Sequence, residues 1–430
     1  MDYKVIRLGD YIKDIASGPF GSNLKVDCFV PDGFPIIDGA NLMGTRVTDN
    51  ITKFVTEEKA RSLSRSIAKK HDVVVTISGT LGQVAYIPLN SKYQEYLCSQ
   101  RQFRVTFDES KIDVEYLVYY LHTKQGQKKI LSFANYVGVP ALAQPLPNFK
   151  NIEINLPPLD YQHKIASIIG GINDKISLNC RINAELEAMA KQIYNYWFVQ
   201  FDFPDENGHP YKSSGGKMVY NEKLKREIPE GWEVKNINQL TESFRGVTYN
   251  KEDLVSESED SILVLRGNNI PRSGQFAYDS NVAYIPREMV SVEQRINKGD
   301  IIITMSSGSK EHIGKCFMFQ YDSKHTFGAF LSKFVPHEGC RYFVYLSMLS
   351  DYFKAFVKTT CNGTGINNLT IDTFNNVFFA VPSSAVLSEF ENLTESIYNK
   401  VGLSHKIIND LTHLRDSLLP MLMNGQVTVE

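Results

Sequence analysis

A long apolar heptad occurs twice in this chain, and it restricts the possible folds more than any other feature. In the first copy, from about Pro158 to Val199, one row reads Ile165, Ile172, Asn179, Leu186, Ile193. The row three residues ahead reads Ile168, Lys175, Ile182, Met189, Tyr196. A shift of 225 (Ile165 to Phe390) gives Phe390, Ile397, Ser404, Leu411, Leu418 and Leu393, Lys400, Ile407, Leu414, Met421. Even the polar interruptions recur, Asn179 with Ser404 and Lys175 with Lys400. No proline falls between Ile165 and Tyr196, or between Phe390 and Leu419. Apolar residues at two positions of sustained heptads specify a helix built to pack on another helix. At ~1.5 Å per residue each is roughly 50 Å long, whereas ordinary globular helices run ~8–20 residues. The expected seam joins Ile165, Ile168, Ile172, Ile182, Leu186, Met189 and Ile193 to Phe390, Leu393, Ile397, Ile407, Leu411, Leu414 and Leu418. Asn179 and Ser404 would set its register. Lys175 and Lys400 would bridge the pair, contact a partner, or simply be solvated.

The repetition extends beyond the helices. Near the front the shift is 228: Ile12 matches Leu240, Gly18 matches Gly246, Gly39 matches Gly267 and Asn41 matches Asn269. Asp72–Thr76 (DVVVT) matches Asp300–Thr304 (DIIIT). From Gly138 onward the shift is 225, ending with Pro157 and Pro382. The expected fold class is α+β: two pseudo-repeated globular domains of mixed α and β structure, separated by two long antiparallel coiled-coil helices. The first globular domain is expected at 1–157, the first long helix at 158–201, a linker at 202–231, the second globular domain at 232–382 and the second long helix at 383–426. In the domains, Val73–Ile77, Ile301–Met305, Ile152–Leu156 and Val377–Val381 read as buried strands, and Val114–Leu131 and Tyr342–Val357 as helices. A twofold relation between the copies favours antiparallel helices. A parallel pair would need the linker to run back roughly 50 Å, which its ~30 residues can span when extended.

The net charge of −2 gives no support to a strongly cationic, non-specific nucleic-acid binder. It leaves room for a specific binder with local patches. The six cysteines form no CxxC pair and no metal spacing, which fits a reduced cytoplasm. MDYKVIRLGD is not a signal peptide and no 18-residue apolar run is present, so a cytoplasmic chain without membrane contact is expected.

Catalytic signatures are missing. GSKEHIGKC (Gly308–Cys316) approaches a P-loop but has one residue too many between its glycines and Cys in place of the Mg²⁺-binding hydroxyl. There is no GxSxG, HExxH, GxGxxG or (D/N)PP(Y/F) stretch. No catalytic residue and no metal ligand is assigned. Two diverged copies on a fixed spacer point to recognition. On a duplex, heads ~50 Å apart would meet sites about one and a half helical turns apart, at ~34–36 Å per turn.

Several stretches together resemble the specificity subunit of type I restriction-modification systems, over nearly the whole chain. They are SGPFGSNLK (Ser17–Lys25), Gly39-Ala-Asn41-Leu42 with Gly267-Asn-Asn269-Ile270, and the strand openings His71-Asp72 and Gly299-Asp300. LPPLDYQHKI (Leu156–Ile165) is similar to the family's LPPL-x-EQ-x-x-I helix opening, with Tyr161 where Glu is common. LRDSLLPMLMNGQVTV (Leu414–Val429) is the most specific match. The second opening, VPSSAVLSEF (Val381–Phe390), departs from the EQ pattern. The resemblance implies a non-catalytic chain whose two target recognition domains each read one half of a bipartite double-stranded DNA site. It implies that the helices space the heads and dock two modification (methyltransferase) subunits. Those would carry S-adenosylmethionine and methylate adenine, while restriction subunits would bring ATP and Mg. No cofactor is expected in this chain.

Glycine-bearing loops offer backbone amides to phosphate and side chains to base edges. In the first head the candidates are Ser17, Ser22, Asn23, Lys25, Ser78, Thr80, Gln100, Arg101 and Tyr136. In the second they are Arg245, Thr248, Tyr249, Ser307, Ser309, Lys310, Lys315, Asn362 and Thr364. Each is weighed against being a turn former or a solvated residue. Asn41 and Asn269, matched in both heads, are expected to hold scaffold. Two other readings stay open: a two-headed adaptor or structural protein with a coiled-coil spacer, and an enzyme with its own cofactor site.

Overall fold

The computed structural model describes residues 3–270, 282–361 and 367–429. They divide into two compact units, Met1–Ile176 with Asp410–Glu430, and Ser177–Asn409. The division falls inside both long helices, so each unit holds one head and the parts of both helices beside it.

In the first unit the β-branched run Val73–Thr76 is wholly buried and becomes a central strand. It lies in a four-stranded antiparallel sheet in the order Ile12–Ser17, Gln102–Phe107, Val73–Thr76, Val84–Tyr86. One face of this sheet packs on Val114–His122 through Phe103, Val105, Tyr116 and Leu117. The other meets a second sheet through Val74, Ala85, Ile37 and Tyr96. In that sheet Phe34–Ile37 pairs parallel with Glu95–Cys98. The head closes on itself: Lys4–Arg7 pairs with Glu153–Leu156, Lys4 opposite Leu156. The helix expected over 114–131 is two helices. Thr123 ends the first, and its Oγ1 accepts from the Gly126 amide at 3.1 Å to cap the second, Lys124–Leu131. A Cβ on Gly126 would come within 2.3 Å of the Tyr120 carbonyl oxygen, so only glycine lets the corner turn so tightly.

The second unit repeats this topology with Thr241–Arg245, Leu331–Pro336, Ile301–Thr304 and Cys316–Met318, in that order. Its first and last strands, Glu233–Asn236 and Phe378–Val381, pair in the same way. The helix expected over 342–357 is again two, broken where Ser350 Oγ caps Asp351–Thr360. Across the sheet, Lys333 Nζ lies 3.1 Å from the Asp300 carboxylate, with both side chains about 95% buried (4% and 5% exposed). Residues 202–231, expected as an open linker, are folded. Met218–Asn221 and Arg226–Pro229 form a hairpin. Phe203 stacks on Tyr211 at 4.7 Å, and Trp232 meets Phe201 edge-on at 5.4 Å. The Gly, Pro, Ser and Lys content of this stretch hides the aromatics that fold it.

The long helices span Leu159–Tyr194 and Ser384–Met423, the first ending in a π-helical turn, Asn195–Val199. They pair antiparallel. In the first unit Arg415 Nη1 donates to Asn173 Oδ1 at 3.2 Å, and Tyr161 Oη donates to the Val427 carbonyl at 2.8 Å. In the second unit Ser404 Oγ donates to Asn179 Oδ1 at 3.1 Å. The two polar breaks, equivalent in the repeat, thus meet each other.

The expected seam needs correction. Ile165, Ile172, Phe390 and Ile397 are buried, while Leu186, Ile193, Leu411 and Leu418 are half-buried. The row three ahead is not in the seam: Ile168, Ile182, Met189, Leu393, Ile407 and Leu414 are 38–47% exposed. The row four ahead is buried instead, as Ile169, Asn183, Ala190 and Trp197, and as Thr394, Val401, Ile408 and Leu422. Each helix must cover a head as well as its partner helix. That widens the buried stripe and turns it away from the narrow two-position seam of a free coiled coil.

His405 sits in the buried stripe, 8% exposed, with Nε2 lacking a hydrogen-bond partner. Burial lowers its pKa to about 4. The unfolded chain therefore binds the extra proton between about pH 6.5 and pH 4, and stability falls as pH drops through that window. About 2.5 pH units at ~1.4 kcal/mol each gives a loss of roughly 3–4 kcal/mol. Thermal melts across this range should show His405→Leu with a flatter acid limb than the parent; parallel curves would remove His405 as the cause.

Candidate nucleic-acid interface

The loops at one edge of the first head's sheets enclose a cavity of about 610 Å³. Ser78, Thr80, Gln100 and Arg101 all line it, so the fold gathers four of the nine first-head candidates. The turn Gly21–Asn23, which holds Ser22 and Asn23, lies against it: a Cβ on Gly21 would come within 2.5 Å of Gln100 Oε1. Gly18 sets the approach of this loop, since a Cβ there would fall 1.8 Å from the Ser99 carbonyl oxygen. Arg101 is exposed, passes over Gly79, and has no hydrogen-bonding or acidic partner for its guanidinium among the described residues. Ser17 ends its strand, exposed, and its carbonyl accepts from Ser66 Oγ at 2.9 Å. Lys25 is exposed beside the cavity-lining Leu24 and Val26. Tyr136 is exposed on a short hairpin joined to the Ser78 loop by the Gly79 amide, which donates to the Pro140 carbonyl at 2.9 Å.

Three other cavity residues, Asp38, Lys53 and Gln83, carried no signal in the sequence. Lys53 Nζ bonds the Asp38 carboxylate at 2.7 Å, and Gln83 accepts from Thr76 Oγ1 at 2.9 Å while donating to the Gly39 carbonyl at 3.0 Å. Their partners are distant in the chain, which no local pattern announces. Phe20, 83% exposed beside Gly21, was marked only by its Pro-Phe-Gly setting. Asn41 holds scaffold: buried, its Oδ1 accepts the Asp38 amide at 3.0 Å and its Nδ2 donates to the Asn50 carbonyl at 3.1 Å. Asn269 likewise accepts the Arg266 amide at 2.8 Å.

The second head keeps the tight crossing, a Cβ on Gly246 falling 2.1 Å from the Gly328 carbonyl oxygen. Arg245 and Thr248 are exposed on either side of it. Tyr249 is half-buried, its hydroxyl accepting from Arg266 Nε at 2.9 Å. Ser307 lies in a short strand paired with Asn367–Asn368, and its Oγ accepts the Ser309 amide at 3.2 Å. Ser309 precedes the turn Lys310–His312. Lys315 is half-buried, with Nζ 2.9 Å from His312 Nδ1. Asn362 and Thr364 lie outside the described residues. Among the described residues no three His, Cys, Asp or Glu side chains gather as a metal site, and no helix is long and apolar enough to cross a membrane.

A family model described as the type I restriction modification DNA specificity domain matches residues 3–188 and again 229–411. The MjaIX specificity subunit of Methanocaldococcus jannaschii is 24% identical over 378 residues, covering 87% of this chain and 82% of that one. The EcoKI specificity subunit of Escherichia coli is 27% identical over 212 residues, covering 47% of this chain and 44% of that one. Among solved structures, the type I restriction-modification S subunit from M. genitalium superposes with a TM-score of 0.56 at 15% identity, over 98% of this chain and 96% of that one. This last likeness concerns the fold.

Proposed function

The chain belongs to the family of type I restriction modification DNA specificity domains, and from that membership we propose that it specifies the DNA target of a modification complex. Each head reads one half of a bipartite, asymmetric site, and the paired helices fix the unread spacer. The observation that carries this reading is the double match to the family model, 3–188 and 229–411, on two heads that share a sheet order and differ in their loops. A shared central sheet with different loops suits two different half-sites. The exposed apolar row on the helices, Ile168, Ile182 and Met189 with Leu393, Ile407 and Leu414, supports a docking role for two modification subunits, because exposed apolar stripes of this kind mark protein contacts. The departure of Val381–Phe390 from the first helix opening makes the two docking surfaces similar, not identical. S-adenosylmethionine belongs to the modification subunits, and ATP with Mg to restriction subunits.

Arg101 is the sharpest test within the first head. Its free guanidinium on the cavity wall matches the bidentate donor geometry that reads guanine or clamps phosphate. In the assembled complex, Arg101→Ala should weaken binding to the cognate duplex about tenfold or more, equivalent to ~1–3 kcal/mol. Titration of labelled duplex at fixed salt measures this, and unchanged affinity would remove the cavity from the interface.

A further inference from the structure

A second cavity, of about 420 Å³, lies in the second unit where the first long helix ends. Its walls are apolar, with Phe198, Phe201 and Phe379 among them, and its rim carries Lys223, Arg226 and Tyr352. Both cations are held by aromatic rings: Arg226 sits 4.4 Å above Phe201, and Lys223 Nζ lies 5.4 Å from the centre of Phe378. Arg226 also donates to the Val199 carbonyl at 2.7 Å. Neither has a carboxylate partner among the described residues. The one acid on the rim, Asp351, already bonds Lys191 at 3.3 Å and Lys354 at 3.4 Å. The backbone here is irregular in two ways. The helix ends in the π turn, and Phe201, a non-glycine residue, is held at φ 67°. Both features cost energy and recur where a surface is shaped for contact. The other long helix leaves differently, with Gly425 packed on Tyr3 and Val427 bonded to Tyr161.

We propose that this cavity anchors a protein partner, taking a bulky apolar side chain from a segment flanked by carboxylates. The size suits one large side chain or a short peptide turn. The aromatic floor supplies burial, and two uncompensated cations supply charge complementarity at the mouth. A phosphate backbone is the weaker fit, because it brings no apolar group to fill the aromatic floor formed by Phe198, Phe201 and Phe379. The inference rests on the reading above that modification subunits dock on this chain, and one of them supplies the segment. The two docking events then differ, since this contact belongs to the second unit.

The experiment uses the full chain and its modification subunit. Lys223→Glu reverses a charge whose side chain holds no hydrogen bond among the described residues, and Tyr352→Ala removes the aromatic side chain of the rim. Arg226 is left alone because it braces the Val199 carbonyl. Each variant should bind the second modification subunit at least about tenfold more weakly, leaving a population with one subunit in native mass spectrometry, while Lys223→Arg assembles normally. Trp197 and Trp232, the two tryptophans of the chain, meet Phe198 beside the cavity edge-on and tilted, at 6.2 and 5.9 Å, so assembly should shift tryptophan emission. Equal assembly of parent and both variants, with matched melting temperatures, would overturn the proposal. So would loss of DNA affinity with assembly intact, which would make the cavity a nucleic-acid contact. Failure of the parent itself to bind any modification subunit would overturn the underlying reading as well.

Discussion

Exchange of residues 4–156 for the corresponding head of a relative with a different target should change one half of the recognised site and leave the other half intact. The first strand of that head pairs with its last, Lys4 against Leu156, so the chain enters and leaves the head at one place. The exchange also spares Tyr3 and Tyr161, which bond the Leu422 and Val427 carbonyls. The second head, closed by Glu233 against Val381, keeps its own sheet and loops. Each mismatched base pair costs ~1–3 kcal/mol, so a half-site of several base pairs should lose preference for the parent sequence by on the order of 10³-fold or more. Selection of bound duplexes from a random library by the assembled complex measures both halves at once. A change in both halves together would contradict independent heads.

Asp300→Ala should be the most damaging single substitution in the second head's sheet. The carboxylate lies 3.1 Å from Lys333 Nζ and also accepts the Asn297 amide at 2.8 Å. Lys333 has one further bond, to the Arg295 carbonyl at 2.8 Å. Removing the carboxylate leaves an ammonium in the sheet interior without its paired acid, which costs ~3–5 kcal/mol against a typical domain stability of ~5–15 kcal/mol. For a unit of this size that corresponds to a drop of roughly 10 °C in melting temperature. Replacing both partners, Asp300→Leu with Lys333→Met, should recover most of the loss, since the pair's own net contribution is small beside its desolvation. A single-variant melt within about 2 °C of the parent would show that water or another acid reaches Lys333. The first head's counterpart is a looser arrangement. Arg104, on the equivalent strand, bonds Asp14 at 2.6 Å, and the Asp14 side chain is 58% exposed, so its loss should cost less.

The parts of this fold that were legible in the sequence are those set by local repetition. The heptads marked both long helices, and the DVVVT and DIIIT runs marked the two central strands. The equal spacing of Asn179 and Ser404 marked a pair of positions that do meet, at 3.1 Å. The parts that were not legible depend on what lies across the fold. A heptad tells that a helix has a partner but not that a head also rests on it, which is why Ile168 and Met189 read as seam and stand exposed. The polar stretch 202–231 hid Phe203 and Tyr211, which with the flanking Phe201 and Trp232 fold it. In the recognition loops, Gln100 and Arg101 came together with Ser78 and Thr80 because adjacent strands Gln102–Phe107 and Val73–Thr76 deliver both loops to one edge. Lys315, chosen as a loop residue, also lies 2.9 Å from His312, a contact no local pattern announces. Asp38, Lys53 and Gln83 acquire meaning only when the cavity closes around them.

The proposed role, directing a methyltransferase to a DNA sequence, is read out by a base-modification map. The chain would be expressed with its modification subunit in a host free of other adenine methylation, and modified bases read by single-molecule sequencing. The expected result is a bipartite, asymmetric methylated motif with an unread spacer, lost when this chain is omitted. Absence of new methylation from a soluble, associated complex, or a motif that persists without this chain, would contradict it.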